Sequence, residues 1–222
     1  AAADIAALPV TILFEFCWKH GVVPSSWKEA RIQPVPKKGD LTAIKNYRPI
    51  SLTEILRKAF ENILLRDLSD FAEPLSIEQG GFRIQRGTLD QVCVLQEWLC
   101  QTKKKKLPRF LAFLDIKAAY DQVDREILWK KCMQRNMPET LIRMLRALFD
   151  ANRSTVAVNG HETETFALKS GLLQGSPLSP ILYSVFIDDI VESINACVGT
   201  TGGTLGGRRF NCLLYADDIV LM

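Results

Sequence analysis

The sequence predicts an α+β domain, with helices packed against antiparallel strands, on three observations. Two apolar, strand-like runs, Arg109–Asp115 and Phe210–Met222, carry carboxylates where a buried strand would normally exclude charge. Patterns of helical period precede, separate and follow the strand-like segments. Asn159-Gly160 stands between two further extended runs and marks a hairpin. The carboxylates at Asp115 and Asp217 are 102 residues apart, so one sheet holding both requires mixed strands and helices rather than a simple repeat.

Taken in order, Ile5, Leu8, Ile12, Leu13 and Phe16 recur at helical spacing, so residues 4–20 read as a helix closed by Gly21. Ala30–Pro36 reads as extended, and Pro34 and Pro36, which cannot donate to a ladder, place it at a sheet edge. Lys37-Lys38-Gly39-Asp40 is a basic turn. Ser51-Leu52-Thr53-Glu54 has capping-box spacing ahead of Ile55, Leu56, Ala59, Phe60, Ile63 and Leu64, the apolar face of an amphipathic helix. Thr88, with Gln91 three residues on, opens a helix running to about Gln101, and Lys103–Lys106 forms a basic loop before the Asp115 strand. Helices over 125–135 and 138–150 follow, with Asp124 as a cap and Pro138 in a first turn. Thr155–Val158 and Thr163–Leu168 flank the Asn159-Gly160 turn. Gly171–Ser179 is a loop leading into a helix from Pro180 to about Cys197, which places Asp188 and Asp189 mid-helix. Thr200–Gly207 is a Gly-rich turn without the Lys-Ser/Thr of a phosphate loop.

The 222 residues are 47% hydrophobic with a net charge of +3, enough for one large or two small cores. No run of about 18 apolar residues occurs, so no membrane span is expected. The first residue is Ala1 and the last, Met222, falls inside a strand-like run, so the chain reads as part of a longer protein. Six scattered cysteines without a C-x-x-C pair, and two histidines, His20 and His161, support neither a zinc cluster nor a disulfide framework. A metal would therefore be held by oxygen, which points to a hard ion such as Mg²⁺. Residues 1–110 carry 17 Lys and Arg against 12 Asp and Glu, and residues 111–222 carry 11 against 13. A basic front half suits a polyanion, while the acidic excess sits with the carboxylate-bearing strands.

An Asp-Asp pair between strands is a turn about as often as a site. A second strand ending in Asp115 shifts the balance toward a metal site built across neighbouring strands. Such carboxylates clamp two Mg²⁺ ions about 3.5–4 Å apart, one activating an attacking hydroxyl and one neutralising a leaving phosphate. That chemistry needs no Ser-His or Cys-His pair, and none is evident.

The set of motifs resembles the reverse transcriptase domain of non-LTR (LINE-type) retrotransposons over almost the whole chain. Gly21-Val-Val-Pro-Ser-Ser-Trp27 and Asn46-Tyr-Arg-Pro-Ile-Ser-Leu52 are similar to the family's fingers segments, and Gln79-Gly-Gly-Phe-Arg83 to its G-F-R element. Phe113-Leu-Asp115 through Asp121 is similar to the first catalytic motif, Gly171-Leu-Leu-Gln174-Gly-Ser-Pro-Leu-Ser-Pro180 to the Q-G-x-x-L-S-P motif, and Tyr215-Ala-Asp-Asp218 to the Y-x-D-D box. The resemblance implies a right-hand polymerase fold with fingers over 1–108, a partial palm over 109–124 and 171–222, and 125–170 returning partly to the fingers. It implies Asp115 and Asp217 as principal metal ligands, Asp218 as a supporting one, and the Ile116 carbonyl as a further oxygen ligand. Tyr120 would be an aromatic gate excluding a 2′-hydroxyl. Arg48 would contact the triphosphate, with Lys37 or Lys38 beside it. Gln174 and Gly175 would lie at the nucleotide sugar and base, and Arg83 along the template.

The function implied is RNA-directed DNA synthesis with two Mg²⁺, or Mn²⁺ in their place, on an RNA template with a DNA primer and dNTPs. The implied location is a ribonucleoprotein in cytoplasm and nucleus. The alternatives are a group II intron-type or telomerase-like reverse transcriptase, or a domesticated, non-catalytic RNA-binding remnant. Ile84-Gln-Arg-Gly87-Thr88 departs from the family's pattern after G-F-R. The thumb is absent from this stretch, so residues 1–222 alone are expected to bind RNA weakly and synthesise little, and the last strand is expected to form an unpaired apolar edge.

Overall fold

The computed structural model describes residues 2–72, 75–198 and 203–222, so the start of the Gly-rich stretch at 200–207 lies outside the described residues. Helix α1 (Ala2–His20) ends where Gly21 adopts φ +66° and donates its N–H to the Cys17 carbonyl at 2.8 Å. A 3₁₀ turn at Ser25–Lys28 buries Trp27 and leads into β1 (Glu29–Pro36), β2 (Tyr47–Leu52) and α2 (Ile55–Ala72). Helix α3 (Thr88–Lys104) precedes β3 (Ala112–Asp115), α4 (Arg125–Gln134), α5 (Glu139–Phe149) and β4 (Arg153–Val158). Short strands β5 (His161–Glu162) and β6 (Phe166–Ala167) return along β4. Then come α6 (Ser179–Ile187), α7 (Ile190–Val198), β7 (Gly203–Leu205), β8 (Arg208–Phe210), β9 (Cys212–Tyr215) and β10 (Asp218–Leu221).

Two packed units emerge, the first from Ala1–Phe71 with Tyr120–Ser179 and the second from Ala72–Ala119 with Pro180–Met222. In the first, β1 lies between β2, antiparallel, and β4, parallel. Helix α5 buries Leu141, Ile142, Leu145, Leu148 and Phe149, and α4 buries Leu128, Trp129 and Cys132. Phe14 packs on Trp27 and Phe60, whose rings lie 5.5 Å apart. In the second unit, β10 is the centre of a three-stranded antiparallel sheet between β3 and β9. Two Gly residues, Gly206 and Gly207, turn the separate β7–β8 hairpin. No described helix is long and apolar enough to cross a membrane.

Several expectations are corrected. Strand β1 is not an edge throughout: Glu29–Ile32 pair with β4 and Arg31–Pro36 with β2, so Arg31 and Ile32 are paired on both sides and 33–36 on one. Pro34 and Pro36 sit in that one-sided part, which is why the missing N–H groups are tolerated. Ser51 is no helix cap; it is buried in β2 and donates its N–H to the Gln174 carbonyl at 2.7 Å. Helix α3 does open at Thr88, with Gly87 as its cap and the Gly87 N–H on the Asp90 carboxylate at 2.7 Å, but it runs past Gln101, so Lys103 and Lys104 belong to its last turn rather than to a loop. The expected Pro180–Cys197 helix is broken at Asp188–Asp189, because the buried Asp188 carboxylate accepts the Ser76 N–H at 2.9 Å. The last strand is not an edge, since β10 is paired on both sides; the open edge belongs to β3, whose Phe113 is exposed.

The helical stripes also turn differently from expectation. On α1, Leu8, Ile12 and Phe16 are exposed, and Cys17 faces inward instead. On α2, Ile55 and Ile63 are exposed, whereas Arg57 and Glu61 are fully buried with Phe60, Leu64 and Leu68. Arg57 Nε bonds Glu61 at 2.7 Å, its Nη1 bonds the Trp27 carbonyl and Asn152 Oδ1, and its guanidinium lies 5.8 Å from the Phe149 ring centre. A buried pair of this kind is costly to split, because either charge left alone has lost its water. Glu61→Ala is therefore expected to destabilise the unit by about 3–5 kcal/mol in urea unfolding followed by tryptophan fluorescence. Arg57→Met combined with Glu61→Leu should cost far less; equal losses would show that the pair is not the tie between α2 and its neighbours.

Candidate active site

Cys212, Leu213 and Leu214 anchor β9 in the second unit by burial, and the chain then turns through Ala216 and Asp217 into β10. Ala216 sits at φ +58°, a left-handed conformation that costs an alanine about 1–2 kcal/mol. Such a turn persists only when its surroundings fix it. Asp218 lies opposite Tyr215 on one side and Asp115 on the other. Directly opposed residues hold their Cβ atoms about 4.5–5.5 Å apart, so the register alone brings Asp115 and Asp218 into each other's field. Asp217 is half-buried in the adjoining turn, and Ile116, also half-buried, follows Asp115. Asp218 as a residue is exposed, yet atoms packed around its carboxyl raise its pKa above the ordinary aspartate value, and the charges of Asp217 and Asp115 raise it further.

Residues 78–81 run along the outer edge of β9 and reach the turn. Leu214 donates its N–H to the Glu78 carbonyl and accepts from the Gly80 N–H, both at 2.8 Å. Gln79 is fully buried; its Oε1 accepts the N–H groups of Gly81 at 2.8 Å and Ala216 at 3.1 Å, and its Nε2 donates to the Ala216 carbonyl at 3.4 Å. A Cβ on Gly81 would lie 2.2 Å from the Ala216 nitrogen, so only glycine allows this approach.

The remaining sequence-derived candidates, Arg83 apart, lie in the first unit. Arg48 pairs with Val35, and Lys37 extends the ladder by donating its N–H to the Asn46 carbonyl at 2.7 Å. With a side-chain period of two, Lys37 falls on the same face of the ribbon as Arg48, and Lys38 lies in the bend that follows. Both Lys37 and Arg48 are exposed. The Gln174–Gly175 loop packs on β2 through the Ser51 N–H bond to the Gln174 carbonyl. Gly175 has φ +134°, and a Cβ there would lie 2.5 Å from the Ser51 carbonyl oxygen. The Gln174 side-chain oxygen is buried with no hydrogen-bond partner among the described residues. The half-buried Tyr120 is tied to the same loop, its carbonyl accepting the Leu172 N–H at 2.9 Å.

Residues 35–222 match the family model of reverse transcriptase (RNA-dependent DNA polymerase). The chain belongs to the reverse transcriptase family. It is 28% identical over 204 residues to the retrovirus-related Pol polyprotein from type-1 retrotransposable element R2 of Popillia japonica, covering 91% of this chain and 28% of that protein. It is 31% identical over 191 residues to the RNA-directed DNA polymerase from mobile element jockey of Drosophila melanogaster, covering 84% of this chain and 21% of that one. The chain thus spans about a quarter of the length of these curated relatives and is homologous to the polymerases of non-LTR retrotransposons. Among solved structures, apo telomerase from Candida tropicalis, truncated from its C-terminal domain, aligns with a TM-score of 0.58 at 13% identity, over 96% of this chain and 48% of that one. At that identity the telomerase likeness shows the shared polymerase fold, fingers and palm, and nothing finer.

The carboxylate set of this reverse transcriptase domain suits a divalent cation: three acidic side chains, no thiol or imidazole, and repulsion within the cluster that a cation would relieve. Among the described residues no three His, Cys, Asp or Glu side chains enclose a metal position by themselves. That is no obstacle for Mg²⁺, which keeps several waters and takes one or two carboxylates plus substrate phosphates.

Arg83 has a role the sequence did not suggest. Its Nη1 donates to the carbonyls of Ser76 at 3.2 Å and Gln79 at 3.3 Å, which ties it to the loop beneath the Asp217 turn. Two further residues escaped sequence reasoning. Gln79 was visible only as a letter of the G-F-R element. Arg125 is buried and donates to the carbonyls of Gly171 at 2.8 Å, Ser170 at 2.9 Å and Leu168 at 3.1 Å, pinning the loop that leads to Gln174. A signal for it existed: a cation in the first turn of α4 opposes the helix dipole and so wants another reason to be there. Asp124 caps α4 as expected, accepting the Ile127 N–H at 3.1 Å.

The electrostatics of the cluster are open to a direct check. In metal-free protein, Asp218 should take up its proton above the ordinary aspartate range in a carboxyl-carbon NMR titration. Asp115→Asn removes one of the charges raising it and should lower that midpoint without returning it fully to the ordinary value, since crowding around the carboxyl is the larger cause. An unmoved midpoint would mean that the two carboxylates do not share a field.

Proposed function

We propose that this chain is the fingers and part of the palm of a non-LTR retrotransposon RNA-directed DNA polymerase. It would extend a DNA primer with dNTPs opposite an RNA template, using two Mg²⁺ ions or Mn²⁺ in their place. The observation that carries the reading is the antiparallel pairing of Asp115 with Asp218, with Asp217 in the adjoining turn. The partition into fingers at 1–108, palm at 109–124 and 171–222, and a partial return to the fingers at 125–170 is part of the same proposal, as is a ribonucleoprotein location in cytoplasm and nucleus.

Asp115 and Asp217, with Asp218 and the Ile116 carbonyl in support, would hold the ions. Bound there, the ions supply Lewis acidity toward the primer hydroxyl and charge neutralisation on the triphosphate. Arg48 and Lys37, on one face of the β1–β2 ribbon, would grip triphosphate oxygens; the guanidinium fork suits a phosphate and the ammonium adds a point charge. Tyr120 would press its ring on the sugar at C2′, leaving no room for a ribonucleotide's hydroxyl. Gly175 lets the backbone come close to the nucleotide. Gln174 would offer its amide, whose orphaned oxygen otherwise costs about 1–3 kcal/mol, to a donor on the incoming nucleotide. Arg83 would lie along the template.

Primer extension by the full-length protein on an RNA template tests this. Asp217→Asn and Asp115→Asn should each cut the rate roughly a hundredfold or more, the scale of losing a preorganised charged group. Turnover that survives both would end the polymerase reading of these carboxylates. Tyr120→Val should leave dNTP incorporation largely intact while raising NTP incorporation, and unchanged sugar discrimination would remove the gate assignment.

A further inference from the structure

The Asp217 turn has an unusual foundation. Its alanine is left-handed, and left alone such a residue would relax. Beyond the β9–β10 pairing that closes the hairpin, it is gripped by a side chain from a segment 137 positions earlier in the sequence. Gln79 grips Ala216 at both backbone groups, accepting the N–H through Oε1 and donating to the carbonyl through Nε2. The same Oε1 accepts the Gly81 N–H, so the amide cannot rotate without breaking all three bonds. Gly81 then presses against the Ala216 nitrogen, closer than any residue with a Cβ could.

The segment carrying Gln79 is itself fastened. Leu214 of β9 bonds Glu78 and Gly80 on either side of it. Arg83 bonds the Ser76 and Gln79 carbonyls, Gln91 of α3 bonds the Glu78 carbonyl at 3.2 Å, and the Asp188 carboxylate takes the Ser76 N–H. Gln79 is thus a rigid post whose tip ends on the residue immediately before Asp217.

We propose that Gln79 is a positioning residue for the catalytic carboxylates, setting the turn from which Asp217 and Asp218 project. The Gln79–Arg83 element acts, on this reading, as the brace of the Y-A-D-D turn. The inference rests on the polymerase reading of those carboxylates. A turn shifted by about 1 Å moves both carboxylates relative to whatever they hold, and misplacement on that scale is worth about a hundredfold in rate. Nucleotide binding by the first unit's residues involves none of these bonds, so a loss of the brace should appear in the chemical step.

Pre-steady-state incorporation of one dNTP by the full-length protein separates the possibilities, because burst rate reads chemistry and burst amplitude counts folded, competent molecules. Gln79→Met keeps the volume and removes every hydrogen bond of the amide. It should slow the burst roughly 10- to 100-fold, raise the Mg²⁺ concentration giving half-maximal rate, and leave the apparent dNTP affinity little changed. Gln79→Glu, kept neutral at this fully buried position, retains an oxygen to accept both N–H groups and a hydroxyl to donate to the Ala216 carbonyl, and should recover most of the lost rate. A Gln79→Met burst of normal rate and reduced amplitude would overturn the proposal, making Gln79 a folding element alone. A slow Gln79→Met that Gln79→Glu does not improve would overturn the role given to the acceptor bonds. Asp217→Asn, run alongside, must abolish the burst; if it does not, the polymerase reading fails independently of Gln79.

Discussion

Like charges do not gather in a protein without a framework that forces them together, and here the framework is strand register. Strand β10 is central in its sheet, so its position is fixed from both sides, by β9 and by β3. That fixes Asp218 opposite Asp115 whatever the carboxylates would prefer. The Asp218 carboxyl is held above the ordinary aspartate range, first by the atoms packed around it and then by the charges of Asp217 and Asp115. Strand β3 is the edge strand and its four residues are exposed, so its register is held by the ladder to β10 rather than by burial of a face. Strand pairing thus brings the carboxylates together, and a divalent cation is their natural complement.

The first unit solves a different problem with a related device. Its loop from Leu168 to Gly175 has no regular structure of its own, yet Gln174 and Gly175 are held in one position. Arg125 supplies donors to three of its carbonyls, Tyr120 and Val123 accept from Leu172 and Gly171, and Ser51 donates to Gln174. Deeper in the same unit, Arg57 ties α2 to the Trp27 turn and to Asn152 after α5. In both places an arginine does what an apolar contact cannot, because a guanidinium reaches several acceptors in fixed directions. Gln79 in the second unit works the same way with an amide.

Local patterns carried the element boundaries well where they were set by short-range physics. Gly21 ends α1, Asp124 caps α4, and Asn159-Gly160 turns the β4–β5 hairpin with both residues at positive φ. They failed where long-range contacts outbid the pattern. Ser51 looks like a cap but is consumed by β2 and the Gln174 loop. Asp188 looks helical but is drawn out to meet Ser76. Leu8, Ile12 and Phe16 recur at helical spacing yet are exposed, as are Ile55 and Ile63 of the α2 stripe, while the inward face of α2 holds a buried ion pair. Periodicity reports that a helix has an apolar stripe; it does not report which neighbours the helix meets.

The sequence by itself determined the chemistry: the family, the order of its motifs, and the identity of the acidic, basic, aromatic and amide side chains on which the proposed reaction depends. These are properties of residue type and spacing, and they are written locally. Only the tertiary structure decided that β10 is a central strand, that Lys37 shares a face with Arg48, and that Gln79, Arg83 and Arg125 are braces. Each of those rests on a partner dozens of positions away or on strand pairing, and hydrogen-bond partners at that separation leave no periodic trace in a single sequence.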